Sequence, residues 1–296
     1  MRPLLVVAAL LAAAPLGAQG KPDFELHREL AAGRRLYVQN IIGDVRVTGG
    51  SGRTVEVTAV KKARRYGEPA DVIVETVELD DGVAVCVRYP NQGRRRPPTP
   101  EQLAKNPCSS GDWGDSDGDG WHDRGHRNDT EVNFTVRVPA GLRLHAGTVS
   151  GDVRAESLDG DLEIHSVSGD VHLVGGRGAA IDLETVSGDV ELSDVRSKDV
   201  SGHTVSGEIS FSGPIEDGGE YDFATTSGDI TVRLPARPNA TLSAATFSGR
   251  LSSDLPITPN ESGRRRHRYA ATWGSGSARL GLESLSGDLA IRVGDR

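Results

Sequence analysis

Aromatic residues are scarce. They make up 4% of the 296 positions, with 5 Phe, 5 Tyr and 3 Trp. That is too little ring volume for an ordinary sandwich core, and it suits a thin interior of aliphatic side chains. Long hydrophobic runs are missing too: beyond Leu4–Ala14, no stretch is long enough to span a bilayer as a helix. Positive charge is in the minority, with 34 Lys and Arg against 42 Asp and Glu and a net charge of −8. That balance argues against nucleic acid as a partner and fits a chain that does not cling to anionic surfaces. No nucleophile elbow, HExxH or phosphate-binding loop occurs. Catalysis would need paired carboxylates or a nucleophile beside a base. The available Glu163, Asp182, Glu184 and Glu191 read as ordinary outward strand positions.

What is present begins with a leader. Met1–Ala18 has the pattern of a secretory signal peptide: Arg2, the apolar run Leu4–Ala14, then Pro15 and small residues ending at Ala18. No cysteine follows the run, so there is no lipobox. Cleavage there would leave 33 basic against 42 acidic residues, a net charge of −9, and Gln19 first. The expectation is an exported chain: periplasmic, at the cell surface or extracellular. Two cysteines in such a chain point to a Cys86–Cys108 bridge. Spacing alone leaves open two unrelated thiols, with Cys86 buried in a strand.

One short phrase dominates the rest. It reads VSGDV at Val149–Val153, LDGDL at Leu158–Leu162, and VSGDV again at Val167–Val171 and Val186–Val190. VSGEI follows at Val205–Ile209, TSGDI at Thr226–Ile230, FSGRL at Phe247–Leu251 and LSGDL at Leu285–Leu289. The phrase glycines are Gly151, Gly160, Gly169, Gly188, Gly207, Gly228, Gly249 and Gly287, at steps of 9, 9, 19, 19, 21, 21 and 38. A period near twenty marks a solenoid, propeller or array.

Apolar residues sit at +2, +4 and +7 from the glycines, as in Val153, Ala155 and Leu158, or Leu162, Ile164 and Val167. The +2/+4 alternation is strand periodicity, not helical. The step to +7 is a bend before the next corner, where glycine supplies positive φ. Each half-unit is then one strand and one corner, and two half-units make a coil. The expected fold is all-β: a parallel β-solenoid, a β-helix-like stack of two-strand coils of 19–21 residues around a column of Val, Leu and Ile. Opposite corners fall near Gly178, Lys198, Gly218 and Asn239. Phe211, Tyr221, Phe223 and Phe247 lie in or bound the wider coils, with Phe223 expected between Gly202 and Ala244 of its neighbours.

Residues 19–139 read as an N-terminal β region. Ile42-Gly43-Asp44-Val45 already carries the theme, Arg53–Lys62 alternates, and Gly82–Tyr89 is a strand. Ala63–Val77 suggests a short helix leading into a strand. An exposed insertion at 90–129 holds Arg94-Arg95-Arg96, Pro97, Pro98, Pro100 and an acidic tract, with nothing to fill a core. Residues 140–296 form the solenoid, with a loop insertion at 254–276 carrying Arg264-Arg265-Arg266-His267-Arg268, and with Tyr269–Trp273 and Ala278–Leu285 read as strands.

Taken together, IIGDVRV at Ile41–Val47, FTVRVPAG at Phe134–Gly141, the VSGDV run and GSGSARLGLESLSGDL at Gly274–Leu289 carry a resemblance. The sequence resembles the bacterial "putative adhesin" family of exported SGD-repeat proteins, a domain of unknown function, over most of the chain after the leader. The resemblance implies a β-solenoid and brings no catalytic residues with it.

Three groups have the residue types for metal chemistry. Asp115, Asp117 and Asp119, then Gly120 and Asp123, match the first half of a calcium loop, though His126 stands where the closing Glu belongs. Ca2+ is the cofactor this loop suggests; the alternative is a solvated acidic loop. His165, Glu184 and His203 share the −4 position of successive coils, one strand spacing apart, which suits zinc or nickel donors poorly in geometry and reads otherwise as a surface ladder. Asp152, Asp170, Asp189, Glu208 and Asp229 stack at +1, followed by Arg250. Their repulsion, about 1 kcal/mol per neighbour in water, needs an offset, and side chains bonding the corner backbone supply it. A weak cation strip is the sharper alternative. The functional expectation is an exported, non-enzymatic adhesin or envelope scaffold that binds a cell-surface glycan or protein. An envelope-stress sensor and a carbohydrate-active β-helix enzyme are the alternatives.

Overall fold

Inward alternation along short strands builds two sheets that face each other across one narrow aliphatic core. The computed structural model describes residues 21–89, 106–108, 128–260 and 267–294. The first strands are β1 (Phe24–Glu29), β2 (Arg35–Gln39), β3 (Val45–Gly50), β4 (Thr54–Lys62), β5 (Ile73–Leu79), β6 (Gly82–Arg88) and β7 (Glu131–Pro139). The regular stack follows, one strand per sheet in each coil. Its coils are β8 (Arg143–Ser150) with β9 (Val153–Glu156), β10 (Leu162–Ser168) with β11 (Val171–Val174), and β12 (Arg177–Glu184) with β13 (Val190–Ser193). Then come β14 (Arg196–Ser206) with β15 (Ile209–Ser212) and β16 (Glu220–Ser227) with β17 (Ile230–Leu234). The last elements are β18 (Ala240–Thr246), β19 (Leu251–Ser253), β20 (Thr258–Asn260), β21 (His267–Trp273), β22 (Ala278–Ser286) and β23 (Leu289–Val293).

Successive coils pair in parallel and in phase with the repeat. Leu162 lies beside Ile181, Ile181 beside Val200, and Val200 beside Tyr221. In the facing sheet, Val153, Val171, Val190, Ile209 and Ile230 form the second column. The chain therefore forms the all-β stack of two-strand coils that its periodicity demands.

At both ends the stacking order departs from sequence order. One sheet runs β1-β4-β7-β3-β9-β11-β13-β15-β17-β23-β19, the other β20-β21-β18-β22-β16-β14-β12-β10-β8-β2-β6-β5. The coil β22–β23 thus slots between β16–β17 and β18–β19, and β2–β3 slots between β6–β7 and β8–β9. The outermost strands turn antiparallel: β21 on β18 and β20 on β21 at one end, β5 on β6 and β1 on β4 at the other. Such caps close an edge that would otherwise template further pairing.

Several sequence readings change in the structure. Phe223 packs between Gly202 and Leu282, and Ala244 instead lies beside Leu282. Room for the ring comes from Gly202, where a Cβ would stand 3.0 Å from Phe223. Phe211 meets Tyr221 and Phe223 with ring centres 5.8 and 5.2 Å away, but Phe247 is 48% exposed and outside this cluster. In the 254–276 segment the strand read at Tyr269–Trp273 is β21, preceded by the unforeseen β20, and Trp273 is buried with its indole N–H donating to the Pro256 carbonyl at 2.9 Å. The short helix expected in 63–77 shrinks to one 3-10 turn at Pro69–Asp71, because the β-branched residues after it enter β5.

Candidate functional site

The SGD-type corners repeat one local design. The eight phrase glycines share a steric demand: a Cβ on any of them would collide with a backbone carbonyl of the coil below. For Gly169 that carbonyl belongs to Gly151, for Gly188 to Gly169, and for Gly160 to Leu142. Positive φ explains less, since φ is 146–158° at Gly151, Gly160, Gly169, Gly188 and Gly228 while the other three lie outside that region. One residue further on, an aspartate accepts the N–H of its counterpart in the next coil. Asp152 Oδ1 takes the Asp170 N–H at 3.0 Å, Asp170 the Asp189 N–H at 2.9 Å, and Asp189 the Glu208 N–H at 2.8 Å. These bonds offset the mutual repulsion of the row. Three residues before the glycines stands a buried hydroxyl that the phrase-based reading missed. Ser166, Thr185, Thr204, Thr225, Ser284 and Thr246 each donate to a glycine carbonyl of the neighbouring coil, at 2.9–3.1 Å. The signal was legible: Ser or Thr precedes each of these glycines by three.

A groove breaks this uniformity. It lies on the outer face of the sheet that holds β2, β8, β10 and β12, where parallel register sets Arg35 beside Arg143 and lines up Tyr37, His145, Glu163 and Asp182. Asp81, beyond the end of β5, accepts Arg35 Nη2 at 2.9 Å and Arg143 Nη2 at 2.8 Å on its two oxygens. Partial burial raises its pKa, but the two guanidinium groups outweigh that and hold the carboxyl below the usual range. The Tyr37 and His145 rings stack with centres 4.0 Å apart and planes 7° off parallel. His165 closes from the other side at 4.7 Å. It can lie there because Gly147 is bare; a Cβ at Gly147 would strike the His165 ring.

The electrostatics follow from that packing. Burial pushes His165 down to about 4, helped by the nearby His145. Burial also lowers His145, against the pull of Glu163, whose carboxylate sits 3.1 Å from Nδ1. Both imidazoles are therefore neutral at pH 7. Tyr37 is pushed up to about 12, by burial and then by Glu163. The groove encloses about 310 Å³ between Arg35, Arg143, His145, Asp161, Glu163 and Asp182. Two buried nitrogens on its wall, Arg35 Nε and His145 Nε2, have no hydrogen-bond partner. Guanidinium, neutral imidazole and carboxylate in one shallow groove suit a polar ligand rich in hydroxyl or amide groups.

With the repeat and its geometry in place, kinship can be read. The family described as Toastrack DUF4097 matches residues 23–292. The chain belongs to that Toastrack family. The resemblance drawn from the SGD corners is borne out by this match. No curated protein matches the chain. Among solved structures it is similar to a "putative cell adhesion protein" from Clostridium sporogenes, at 10% identity over 92% of this chain and 100% of that one, with a TM-score of 0.33. It is also similar to a "putative adhesin" from Bacteroides fragilis, at 11% identity over 90% and 96%, with a TM-score of 0.42.

In this Toastrack stack the sequence candidates fare differently. Asp115, Asp117, Asp119 and Asp123 lie outside the described residues. Cys86, outward on β6, is joined to Cys108 by a disulfide with Cα atoms 5.3 Å apart. That link holds residues 106–108 of the 90–129 insertion against the sheet. Pro107 is buried, and Asn106 Oδ1 accepts the Tyr37 hydroxyl at 3.2 Å. Tyr37, Ala84 and Cys86, with Val77, Leu79 and Cys108 against them, form a small apolar cluster beside the groove.

His165, Glu184 and His203 do fall in register, but they do not converge. His165 turns over Gly147 toward His145, and among the described residues no group of three or more His, Cys, Asp or Glu is placed to hold a metal. Asp182 accepts the Ser201 hydroxyl at 2.6 Å, and Glu191 pairs with His172 at 3.0 Å in the opposite sheet. Sequence reading missed Arg35, Arg143 and Asp81, which only the interleaved order of β2, β6 and β8 brings together.

Proposed function

We propose that this protein is an exported, non-enzymatic binding or scaffold protein of the cell envelope, and that it holds a hydroxyl-rich surface glycan in the groove between Arg35 and Asp182. The observation that carries this reading is the pair of buried, unpartnered nitrogens, Arg35 Nε and His145 Nε2, on one groove wall. Buried polar groups are otherwise paired, so a groove whose lining residues keep two such nitrogens unpaired is poised for a ligand or water that reaches them once the lining side chains shift. Among the described residues, no helix is long and apolar enough to cross a membrane.

The test is a glycan array run alongside a turnover assay, with wild type and Arg143→Ala. Binding that the variant loses, without cleavage, is expected. Cleavage would replace this reading with an enzymatic one, and wild-type binding that the variant keeps would remove the groove from it. Export is checked by the intact mass of the secreted chain, expected to begin at Gln19; retention of Arg2 would refute it.

A further inference from the structure

The first residue of most phrases is apolar, yet it stays out of the core. Val149, Val167, Val186, Val205, Leu285 and Phe247 are 42, 41, 45, 48, 53 and 48% exposed. The strand order β8-β10-β12-β14-β16-β22-β18 sets one on each rung, with Thr226 between Val205 and Leu285. Flanking pairs keep the rungs aligned: Thr148 with Ser166, Ser150 with Ser168, Thr225 with Ser284, and Thr246 with Ser284. Seven rungs at about 4.8 Å give a straight stripe about 29 Å long. Single exposed apolar residues are ordinary, but a contiguous row marks an interaction surface. The corner does not need these side chains, because the buried hydroxyl and the glycine already close it and Thr226 occupies the same place without them.

Charge selects the occupant. Past the Ser-Gly step, the stripe is bordered by Asp152, Asp170, Asp189, Glu208, Asp229 and Asp288, and at the outermost rung, beside Phe247, by Arg250. One oxygen of most of these carboxylates is held by the next coil's N–H, which fixes the charge in place; Asp152 is also paired with Arg154 at 2.8 Å, so the acidic stretch runs from Asp170 onward. A second copy of this chain would bring its own carboxylate row against this one, and an anionic lipid surface would be repelled. A polypeptide carrying cations beside its apolar residues meets both features at once.

We propose that this corner edge docks an extended polypeptide segment in which apolar residues alternate with lysine or arginine. The apolar side chains lie on the Val149–Phe247 stripe and the cations on the carboxylate row. This surface is separate from the groove, and neither proposal depends on the other.

The probe is a fluorescein-labelled nine-residue peptide of alternating valine and lysine, followed by anisotropy. Three variants test it: Val167→Ser/Val186→Ser/Val205→Ser together, Asp170→Asn/Asp189→Asn together, and Val186→Ser alone in case the triple change unfolds the stack. Asn keeps the Oδ1 acceptor of the ladder and removes only the charge. The triple change should weaken binding about tenfold or more, and the Asn pair should weaken it and flatten its salt dependence. Equal binding of the valine–glutamate counterpart, or wild-type affinity in a folded serine variant, overturns the proposal. So does self-association in sedimentation, or binding of phosphatidylcholine vesicles, that the serine variants lose: the first would assign the stripe to a second copy, the other to a lipid surface.

Discussion

Thr185→Val isolates the hydroxyl ladder from everything else in the corner. Thr185 is 4% exposed, and its hydroxyl donates to the Gly169 carbonyl at 2.9 Å. Valine has nearly the same shape and the same strand rotamers, so packing is kept while the buried carbonyl loses this donor. The loss should destabilise by about 1–3 kcal/mol. In a chain of this size that lowers Tm by roughly 2–10 °C. Thr185→Ser keeps the donor, as Ser166 and Ser284 do on their own rungs at 3.0 and 3.1 Å, and should lose less than about 1 kcal/mol. Next door, Val186→Thr changes a residue that is 45% exposed and should stay within about 0.5 kcal/mol of wild type. Thermal and urea melts followed by circular dichroism measure all three. A valine variant as stable as wild type would refute the reasoning, as would a serine variant as weak as the valine one.

Stability should fall as pH drops from 6.5 toward 4, because the unfolded chain takes up a proton that buried His165, held at about 4, refuses. The difference of about 2.5 pH units sets an upper limit near 3 kcal/mol, and His165→Gln should flatten the slope in urea melts at stepped pH; an unchanged slope counts against it. Reducing the Cys86–Cys108 bridge, whose cysteines are 22 residues apart, should remove about 3 kcal/mol. Peptide mapping without reductant should find the linked peptides, and free thiols on the folded, oxidised protein would contradict that. Deleting Asp170–Gly188 removes one whole coil and joins Gly169 to Asp189 in register, so the protein should fold with a lower Tm and an unchanged β-type spectrum. Deleting only Asp170–Gly178 sends every later strand to the wrong sheet and should give aggregates on size exclusion; equal tolerance would mean the half-coil is the true unit.

The regular middle was legible because one periodicity serves both local and global structure. Val153, Val171, Val190, Ile209 and Ile230 recur at the coil length, and that recurrence places them in one column. The ends were not legible, since nothing local in LGLESLSGDL says that β22 displaces β18 from β16. The error over Ala244 and Phe223 follows from that alone. Exposure at the phrase's first position was hidden by its valines, which read as core by type and stand outside by geometry. The groove was hidden for a third reason. Arg35, Asp81 and Arg143 are far apart in the chain, and the pKa of His165 depends on a bare Gly147 in the neighbouring strand.

The interleaved ends have a consequence in time as well as space. Residues 240–253 precede residues 278–293 in the chain, yet they lie farther out in the stack and rest on them. Synthesis therefore cannot lay the coils down one after another like bricks. β18 and β19 therefore reach their seats in the finished stack only once β22 and β23 exist for them to pair with. The same arrangement restricts how the molecule can change length over generations. Duplicating a middle coil between Gly151 and Gly228 extends the column by one storey and leaves both interleaved ends intact. Duplicating a terminal coil would separate it from the strand it must lock.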